Sequence, residues 1–272
     1  MRIGPFRIAL AGMLWLPSLA AAQPAPRDVQ IFLLIGQSNM VGRGAIEPQD
    51  REVIPRVYAV NESLVWQAAV DPLHWDNAAA GVGLGRSFAR VLAALNPNVN
   101  IGLVPAAVGG TSLAEWTPGE TPSRLYTEAL RRLSAVRGTG TLRGVLWHQG
   151  ERDSRDEVSF VDYLPRLGAL FERLRRDLNA PDVPIVVGEI GEFLYTRTAG
   201  GYPNALAVNE RLALAPVSIF RTAFVSSAGL GHIGDELHFN AESQREFGRR
   251  YALAYLSLDP DWVPQPLVPC RY

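Results

Sequence analysis

Apolar runs and amphipathic stretches alternate along the chain from residue 29 onward. The run VQIFLLI at 29–35 is continuously apolar, as is typical of a strand covered on both faces of a parallel sheet. The stretch GLGRSFARVLAAL at 83–95 has helical spacing and stops at Asn96-Pro97. The pattern predicts further strands at 56–60, 101–107, 143–148, 184–190 and 221–227, and further helices at 122–136, 161–178, 205–214 and 239–256, the last with Asn240 as its N-cap.

The order of these elements predicts one mostly parallel sheet. Strands that alternate with helices are joined by right-handed crossovers, so helices cover both faces of the sheet. The chain has 272 residues, no repeat and no low-complexity linker, which suits one domain with a substantial core. We therefore predict an α/β fold with a single domain over residues 23–272 and a ligand site at the carboxyl ends of the strands.

The first 22 residues have the pattern of a secretory signal peptide. Arg2 and Arg7 precede a short apolar run that ends in the small-residue pattern Ala20-x-Ala22. The run is shorter than the ~20 residues needed to span a membrane. We therefore predict a signal peptide over residues 1–22 with cleavage after Ala22, a secreted or periplasmic mature protein, and no stable membrane insertion.

Composition narrows the classes of function. Hydrophobic residues make up 47% of the chain and charged residues 19%, which indicates a folded rather than a disordered protein. The net charge of −1 does not suggest a nucleic-acid partner. His148 and Glu151 could be read as two metal ligands, but the chain has no H-E-x-x-H motif and no cysteine–histidine cluster, and its single cysteine is Cys270. We expect no metal and no cofactor.

Polar or glycine-rich residues follow several of the predicted strands. Ser38 follows the first strand, Gly109-Gly110 follows the strand at 101–107, and His148 to Glu151 close the strand at 143–148. Asp235 to His238 lie just before the last helix. Because the carboxyl ends of parallel strands meet at one edge of a sheet, we expect these residues to form one site.

Ser38 and His238 could supply the nucleophile and the base of a serine hydrolase. A serine hydroxyl needs a base to take its proton, and the base needs a third group to orient it. Among the four histidines, His238 has the best context because Asp235 lies three positions earlier and can face the same way in a turn. Taken singly, Ser38 also fits a structural turn serine and the Asp235–His238 pair also fits ordinary polarity at a helix start.

Acyl transfer also needs donors for the oxyanion. The backbone N–H of Ser38, a backbone N–H in the Gly109-Gly110 turn and the side-chain amide of Gln149 are the candidates. The two glycines fit a tight left-handed turn equally well. Burying a side-chain amide such as that of Gln149 after a buried strand costs free energy unless the amide binds a partner.

The blocks GQSNM, GGTSLAEW, LWHQGERD and DELHFN, in this order, resemble the SGNH hydrolase superfamily. More narrowly they resemble its sialate O-acetylesterase and acetylxylan esterase branch, carbohydrate esterase family six, over roughly residues 29–255. The resemblance implies a three-layer flavodoxin-like (SGNH hydrolase) fold with a mostly parallel central sheet. It also implies a metal-free serine esterase that removes O-acetyl groups from carbohydrates through an acetyl-enzyme.

Carried over by motif, the resemblance makes Ser38 the nucleophile, His238 the base and Asp235 its orienting group. Gly109 and Gln149 join the Ser38 amide in the oxyanion hole, with Gly110 left open as the alternative to Gly109. The superfamily more often has asparagine where this chain has Gln149. Which acetylated sugar is the substrate, and which oligomeric state the protein adopts, stay open.

Arg152 departs from the branch, which generally has a small or neutral residue there. It could restrict the substrate, or pair with Glu151 or Asp153. With Trp116 it is our candidate for substrate binding, since the ring of Trp116 could stack on a sugar face. The same ring, like that of Trp75, also fits ordinary packing.

Two other classes of protein are less consistent with the sequence. An α/β-hydrolase would need G-x-S-x-G, but Met40 stands where its second glycine belongs. A catalytically silent carbohydrate-binding protein on the same fold stays the alternative. It is disfavoured because Ser38, Asp235 and His238 are all present.

Overall fold

The computed structural model describes residues 26–117, 119, 123–156 and 160–263. The predicted signal peptide at 1–22 and Cys270 lie outside the described residues. Within these ranges no helix is both long enough and apolar enough to cross a membrane.

The described strands form one seven-stranded sheet. They are β1 (Val29–Gly36), β2 (Val57–Val60), β3 (Trp66–Ala68), β4 (Asn100–Pro105), β5 (Gly140–His148), β6 (Ile185–Gly188) and β7 (Thr222–Val225). Their order across the sheet is β3-β2-β4-β1-β5-β6-β7. All neighbouring strands pair in parallel except β3, which runs antiparallel to β2. The predicted mostly parallel central sheet is therefore confirmed.

Helices lie on both faces of this sheet. They are α1 (Ser38–Val41), α2 (Leu84–Leu95), α3 (Leu113–Trp116), α4 (Arg124–Val136), α5 (Tyr163–Asp177), α6 (Ala205–Ala213), α7 (Ala215–Ser218) and α8 (Ala241–Leu258). The longer helices match the predicted ones to within a few residues. Asn240 caps α8 as predicted, because its side chain accepts a hydrogen bond from Ser243 N at 2.9 Å.

Strand β1 lies at the centre of the sheet and divides the core in two. Ile31 and Leu33 pack against α4 and α5 on one face, whereas Phe32 and Leu34 pack against α2 and α8 on the other. Successive side chains of a strand point to opposite faces, so an unbroken apolar run is what a strand between two helical layers requires. Each such side chain contributes about 1.5–3 kcal/mol on burial. This explains why the run at 29–35 is so clear a signal.

The sequence pattern misses β3. This strand has only three residues and lies at the edge of the sheet, with the side chain of Gln67 exposed between the half-buried Trp66 and Ala68. A segment so short contains too few alternations to be recognised as a strand.

The buried Asp71 lowers the stability of the fold by an amount that depends on pH. Asp71 is 2% exposed, and its Oδ1 has no hydrogen-bond partner among the described residues. Burial raises the pKa of Asp71 to about 7, although nearby Arg86 opposes the shift. Because the folded-state pKa lies above the unfolded value, the folded state loses stability as pH rises toward 7.

We expect Asp71→Asn to remove this loss. Between pH 5 and pH 8, the free energy of unfolding of the wild type should fall by about 2–3 kcal/mol relative to that of the variant. Urea titrations of both proteins at the two pH values measure the difference. An equal pH dependence in the two proteins would show that Asp71 does not titrate in this way.

Candidate active site

A tight turn at the end of β1 positions Ser38. Gly36 has a φ of 131°, and a Cβ there would lie only 2.1 Å from His148 O, so the chain needs glycine at this point. Gln37 N then donates to His148 O at 2.9 Å, which ties the turn to the end of β5. Ser38 follows as the first residue of α1 and is largely buried.

Ser38, His238 and Asp235 form a continuous chain of contacts. His238 Nε2 lies 3.0 Å from Ser38 Oγ, and His238 Nδ1 lies 2.6 Å from Asp235 Oδ2. The carboxylate at Nδ1 favours the tautomer that carries its proton there, which leaves Nε2 to accept the proton of Ser38. The structure thus brings together the three residues that the sequence selected.

Asp235 is held as a carboxylate. Its Oδ1 accepts hydrogen bonds from the backbone N–H groups of Leu237 and His238, both at 2.9 Å. Burial alone would raise the pKa of Asp235, but these bonds and the His238 side chain outweigh it and hold the pKa below its ordinary value. Asp235 therefore stays ionised over the range in which an imidazole ordinarily titrates.

The predicted convergence of strand ends is confirmed by a pocket of about 610 Å³ over Ser38. Residues after β1, β4 and β5 and before α8 line it together. The lining residues are Gln37, Ser38, Arg43, Asn77, Gly109, Gly110, Glu151, Arg152, Arg155, Tyr202, Leu237 and His238.

Gly109, rather than Gly110, faces the serine. A Cβ added at Gly109 would lie 3.6 Å from Ser38 Cβ. Gly110 instead has a φ of 76° and open space around it, so its glycine serves the turn. The backbone N–H groups of Ser38 and Gly109 have no acceptor within the described part of the chain, which leaves them available to an oxyanion.

The assignment of Gln149 to the oxyanion hole is wrong. Its amide nitrogen already donates to Asp153 Oδ2 at 2.5 Å and to Thr111 O at 3.0 Å, and it also lies 3.1 Å from Gln37 Oε1. Its Oε1 accepts from Tyr163 OH at 2.8 Å. An amide nitrogen has two hydrogens, and both are used inside the protein. Gln149 is fully buried and does not line the pocket.

Gln37 and Asn77 are the amides that line the pocket, and the sequence did not indicate either. Gln37 Oε1 faces Gln149 Nε2 at 3.1 Å and Arg152 N at 3.3 Å, so its own Nε2 is free to turn elsewhere. Asn77 Nδ2 lies 3.8 Å from a Cβ placed at Gly109. Asn77 Oδ1 accepts from Ala79 N at 2.9 Å, an ordinary turn contact, so its sequence context resembled that of any turn asparagine.

The assignment of Trp116 to substrate binding is also wrong. Its side chain is 1% exposed and packs edge-to-face against Trp147 in the core. Its indole N–H donates to Thr111 Oγ1 at 3.0 Å. Trp75 is half-buried under the guanidinium of Arg132, which lies 4.6 Å from its ring. Neither ring lines the pocket over Ser38.

Arg152 does line the pocket, together with Arg43 and Arg155. None of the three forms an ion pair with an acidic side chain of the described residues. Arg152 therefore does not pair with Glu151 or Asp153 as one interpretation suggested. Among the described residues, the rim of the pocket thus carries three guanidinium groups that form no ion pair.

The residues described here include no group of three or more His, Cys, Asp or Glu side chains that could hold a metal ion. His148 is fully buried, and its Nε2 lies 3.5 Å from Glu151 Oε1. The two side chains thus contact each other inside the protein.

The family model for carbohydrate esterases described as sialic acid-specific acetylesterase matches residues 28–257. The chain belongs to this family. It is 34% identical over 254 residues to a probable carbohydrate esterase of Arabidopsis thaliana, covering 86% of this chain and 92% of that protein. As a member of the carbohydrate esterase family, the protein is a carboxylic ester hydrolase.

Solved structures share this fold. An X-ray structure of an Arabidopsis thaliana protein has a TM-score of 0.74 at 33% identity, covering 85% of this chain and 98% of that one. At lower identity, the structure of NanS shares the fold with a TM-score of 0.68 and 16% identity, over 87% of this chain and 99% of that one. A carbohydrate acetylesterase from Xanthomonas citri has a TM-score of 0.67 and 22% identity, over 85% of this chain and 57% of that one.

We expect Gly109→Ala to lower activity and Gly110→Ala to lower stability. The methyl group at position 109 would lie 3.0 Å from Arg43 Nη2 and 3.6 Å from Ser38 Cβ. The flexible arginine can move aside, so the methyl should narrow the space beside Ser38 and lower kcat/KM for an acetate ester more than about tenfold, with little loss of stability. The methyl group at position 110 meets open space but strains a left-handed backbone, so it should cost about 1 kcal/mol of stability and little activity.

Steady-state kinetics and thermal unfolding of the two variants measure this split. Equal losses of activity in both would mean that Gly109 does not border the reacting ester.

Proposed function

We propose that the protein removes O-acetyl groups from carbohydrates with Ser38 as nucleophile, His238 as general base and Asp235 as the group that orients the imidazole. The observation that carries the proposal is the pair of contacts at His238, 3.0 Å to Ser38 Oγ and 2.6 Å to Asp235 Oδ2. A nucleophile, a base and an orienting carboxylate in this order form the arrangement that activates a serine hydroxyl.

In the first half of the reaction, Ser38 Oγ attacks the acetyl carbonyl while His238 Nε2 takes its proton. The oxyanion faces the free N–H groups of Ser38 and Gly109, and the amides of Gln37 and Asn77 are the further donors within the pocket. His238 then gives the proton to the sugar oxygen as its bond to the acetyl carbon breaks, which leaves an acetyl-enzyme.

In the second half, water attacks the acetyl-enzyme and gives its proton to His238. The bond between the acetyl carbon and Ser38 Oγ breaks, the proton returns to the serine, and acetate leaves. Each oxyanion donor typically contributes about 10²–10³ in rate.

We expect Ser38→Ala to lower the hydrolysis of a chromogenic acetate ester by at least about 10³-fold, because nothing then forms the acetyl-enzyme. The exposed Ser63→Ala is the matched control and should keep the wild-type rate. If wild type and Ser38→Ala hydrolyse the ester equally slowly, Ser38 is not the nucleophile, and the alternative of a catalytically silent carbohydrate-binding protein on the same fold gains support.

The charge of the rim favours an acidic sugar. Arg43, Arg152 and Arg155 line the pocket without an acidic partner among the described residues, and a guanidinium suits a carboxylate. An acetylated sugar that bears a carboxylate, such as O-acetyl sialic acid, fits this rim better than neutral acetyl-xylooligosaccharides. The description of the family as sialic acid-specific points the same way.

We expect acetate release to be faster from O-acetyl sialic acid than from acetyl-xylooligosaccharides, and Arg152→Gln to lower this preference about tenfold. Loss of one charge-assisted hydrogen bond accounts for a change of that size. The exposed Arg90→Gln, on α2, is the control and should retain the preference. Faster release from the neutral substrate, unchanged in Arg152→Gln, would rule out recognition of a carboxylate.

A further inference from the structure

Asn39 contacts the backbone on both sides of His238. Its Nδ2 donates to Leu237 O at 3.1 Å, and its Oδ1 accepts from Phe239 N at 3.1 Å. Asn39 is also the residue directly after Ser38 and is fully buried. One side chain, attached next to the nucleophile, thus holds the two peptide groups that flank the base.

These hydrogen bonds of Asn39 help to fix the position of His238 relative to Ser38. Ser38 and His238 are 200 positions apart in the chain, so their 3.0 Å contact has to be fixed by tertiary interactions. The start of α8 is secured separately, by the Asn240 cap and by Gln244 Nε2, which donates to Asn39 O at 2.9 Å. The side chain of Asn39 is therefore not needed to start the helix, and what it adds is the position of the base relative to the nucleophile.

Glu151 determines which way the Asn39 amide points. Its Oε1 accepts from Asn39 Nδ2 at 2.5 Å. A flipped amide would place Oδ1 against this carboxylate and turn its NH₂ group toward Phe239 N–H, so both contacts would become repulsive. The carboxylate thus selects the one orientation in which Asn39 can hold both peptide groups.

Glu151 is a buried charge beneath the site. It is 1% exposed, and its Oε2 has no hydrogen-bond partner among the described residues. Burial alone would raise the pKa of Glu151, but the contacts with His148 and Asn39 outweigh it and hold the pKa below its ordinary value. The group is therefore a carboxylate at neutral pH.

We propose that Asn39 and Glu151 are positioning residues for the reaction. Asn39 fixes the backbone of His238 relative to Ser38, and the buried Glu151 carboxylate, which lines the same pocket as His238, orients Asn39 and favours the imidazolium that forms during attack. The inference rests on the proposed function, because it assigns roles around the same nucleophile and base. It concerns the efficiency of proton transfer, so its effects should appear in kcat rather than in KM.

The first test is Asn39→Asp, which places a carboxylate oxygen opposite both Glu151 Oε1 and Leu237 O. We expect kcat for a chromogenic acetate ester to fall about 10–100-fold with KM within about twofold. Adding Glu151→Gln to this variant restores a donor–acceptor pair and should recover at least about fivefold in kcat.

Asn209→Asp is the matched control. Asn209 is a buried asparagine that bridges Ile190 N and Ile190 O, both at 2.9 Å, away from the pocket. The same substitution there disturbs a similar pair of backbone bonds, so it should lower the melting temperature and leave kcat near the wild-type value. An equal loss of kcat in the control would assign the effect of Asn39→Asp to general destabilisation and overturn the proposal.

The second test is Glu151→Gln alone, which keeps an acceptor for Asn39 and removes the charge. We expect kcat to fall about 3–10-fold and the acid limb of the pH profile of kcat/KM to move to lower pH by at least about 0.3 unit, because the charge that favours the imidazolium is gone. A merely structural role would leave the limb in place.

Other ionisable groups also face Glu151. They are His148 on β5, Tyr163 on α5 and Tyr251 on α8. Burial raises the pKa of both tyrosines well above its ordinary value, so neither loses its proton in the measured range. His148→Gln, analysed in parallel, separates a contribution of that imidazole from the one assigned to Glu151.

The outcomes separate this inference from the proposed function. If Ser38→Ala is inactive but Asn39→Asp keeps kcat within twofold, or Glu151→Gln leaves the acid limb in place, the positioning role is wrong and the esterase mechanism stands. If Ser38→Ala retains the wild-type rate, the mechanism itself is wrong. Should Asn39→Asp fail to fold, Glu151→Gln alone decides by the position of its acid limb.

Discussion

The site depends on the close approach of two strand ends, β1 at Gly36 and β5 at His148. The two backbones come so near that a single Cβ at Gly36 would overlap His148 O. This contact brings the turn after β1, with Ser38, and the turn after β5, with Gln149 to Arg152, to one point. Gln37 lies between them, since its N–H binds His148 O and its side-chain oxygen faces Gln149 and the N–H of Arg152.

Beneath this junction, two buried carboxylates each bind an amide. Asp153 Oδ2 accepts from Gln149 Nε2, and Glu151 Oε1 accepts from Asn39 Nδ2, both at 2.5 Å. A carboxylate accepts only, so it fixes which end of an amide faces it. In a buried setting such bonds are strong and leave the side chains little freedom to rotate. These bonds hold the side chains beneath the pocket in one orientation, as a reaction requires when its donors must be in place before charge develops.

Sequence reasoning identified the residues whose structural role follows from the residues next to them in the chain. The strand at 29–35 was evident because burial on both faces requires an unbroken apolar run, and Asp235 and His238 were paired by their spacing. The direction of an amide is different, because it is set by partners distant in the chain. Gln149 was placed in the oxyanion hole, although its amide nitrogen donates to Asp153 and its amide oxygen accepts from Tyr163. Gln37 and Asn77 line the pocket only because of the tertiary fold. Likewise, no periodicity distinguishes a core tryptophan such as Trp116 from one at a rim.

The burial of Trp116 changes how the pocket can recognise a sugar. Tyr202 is the aromatic residue that lines it, and the guanidinium groups of Arg155 and Arg197 lie 5.3 Å and 5.2 Å from its ring centre. A ring that already contacts two cations offers little free face for a sugar to stack on, but it holds the guanidinium of Arg155 in place at the rim. Guanidinium groups bind carboxylates through directed pairs of hydrogen bonds, whereas a neutral sugar offers them only hydroxyl groups. The chemistry of the rim thus favours recognition by charge over recognition by stacking.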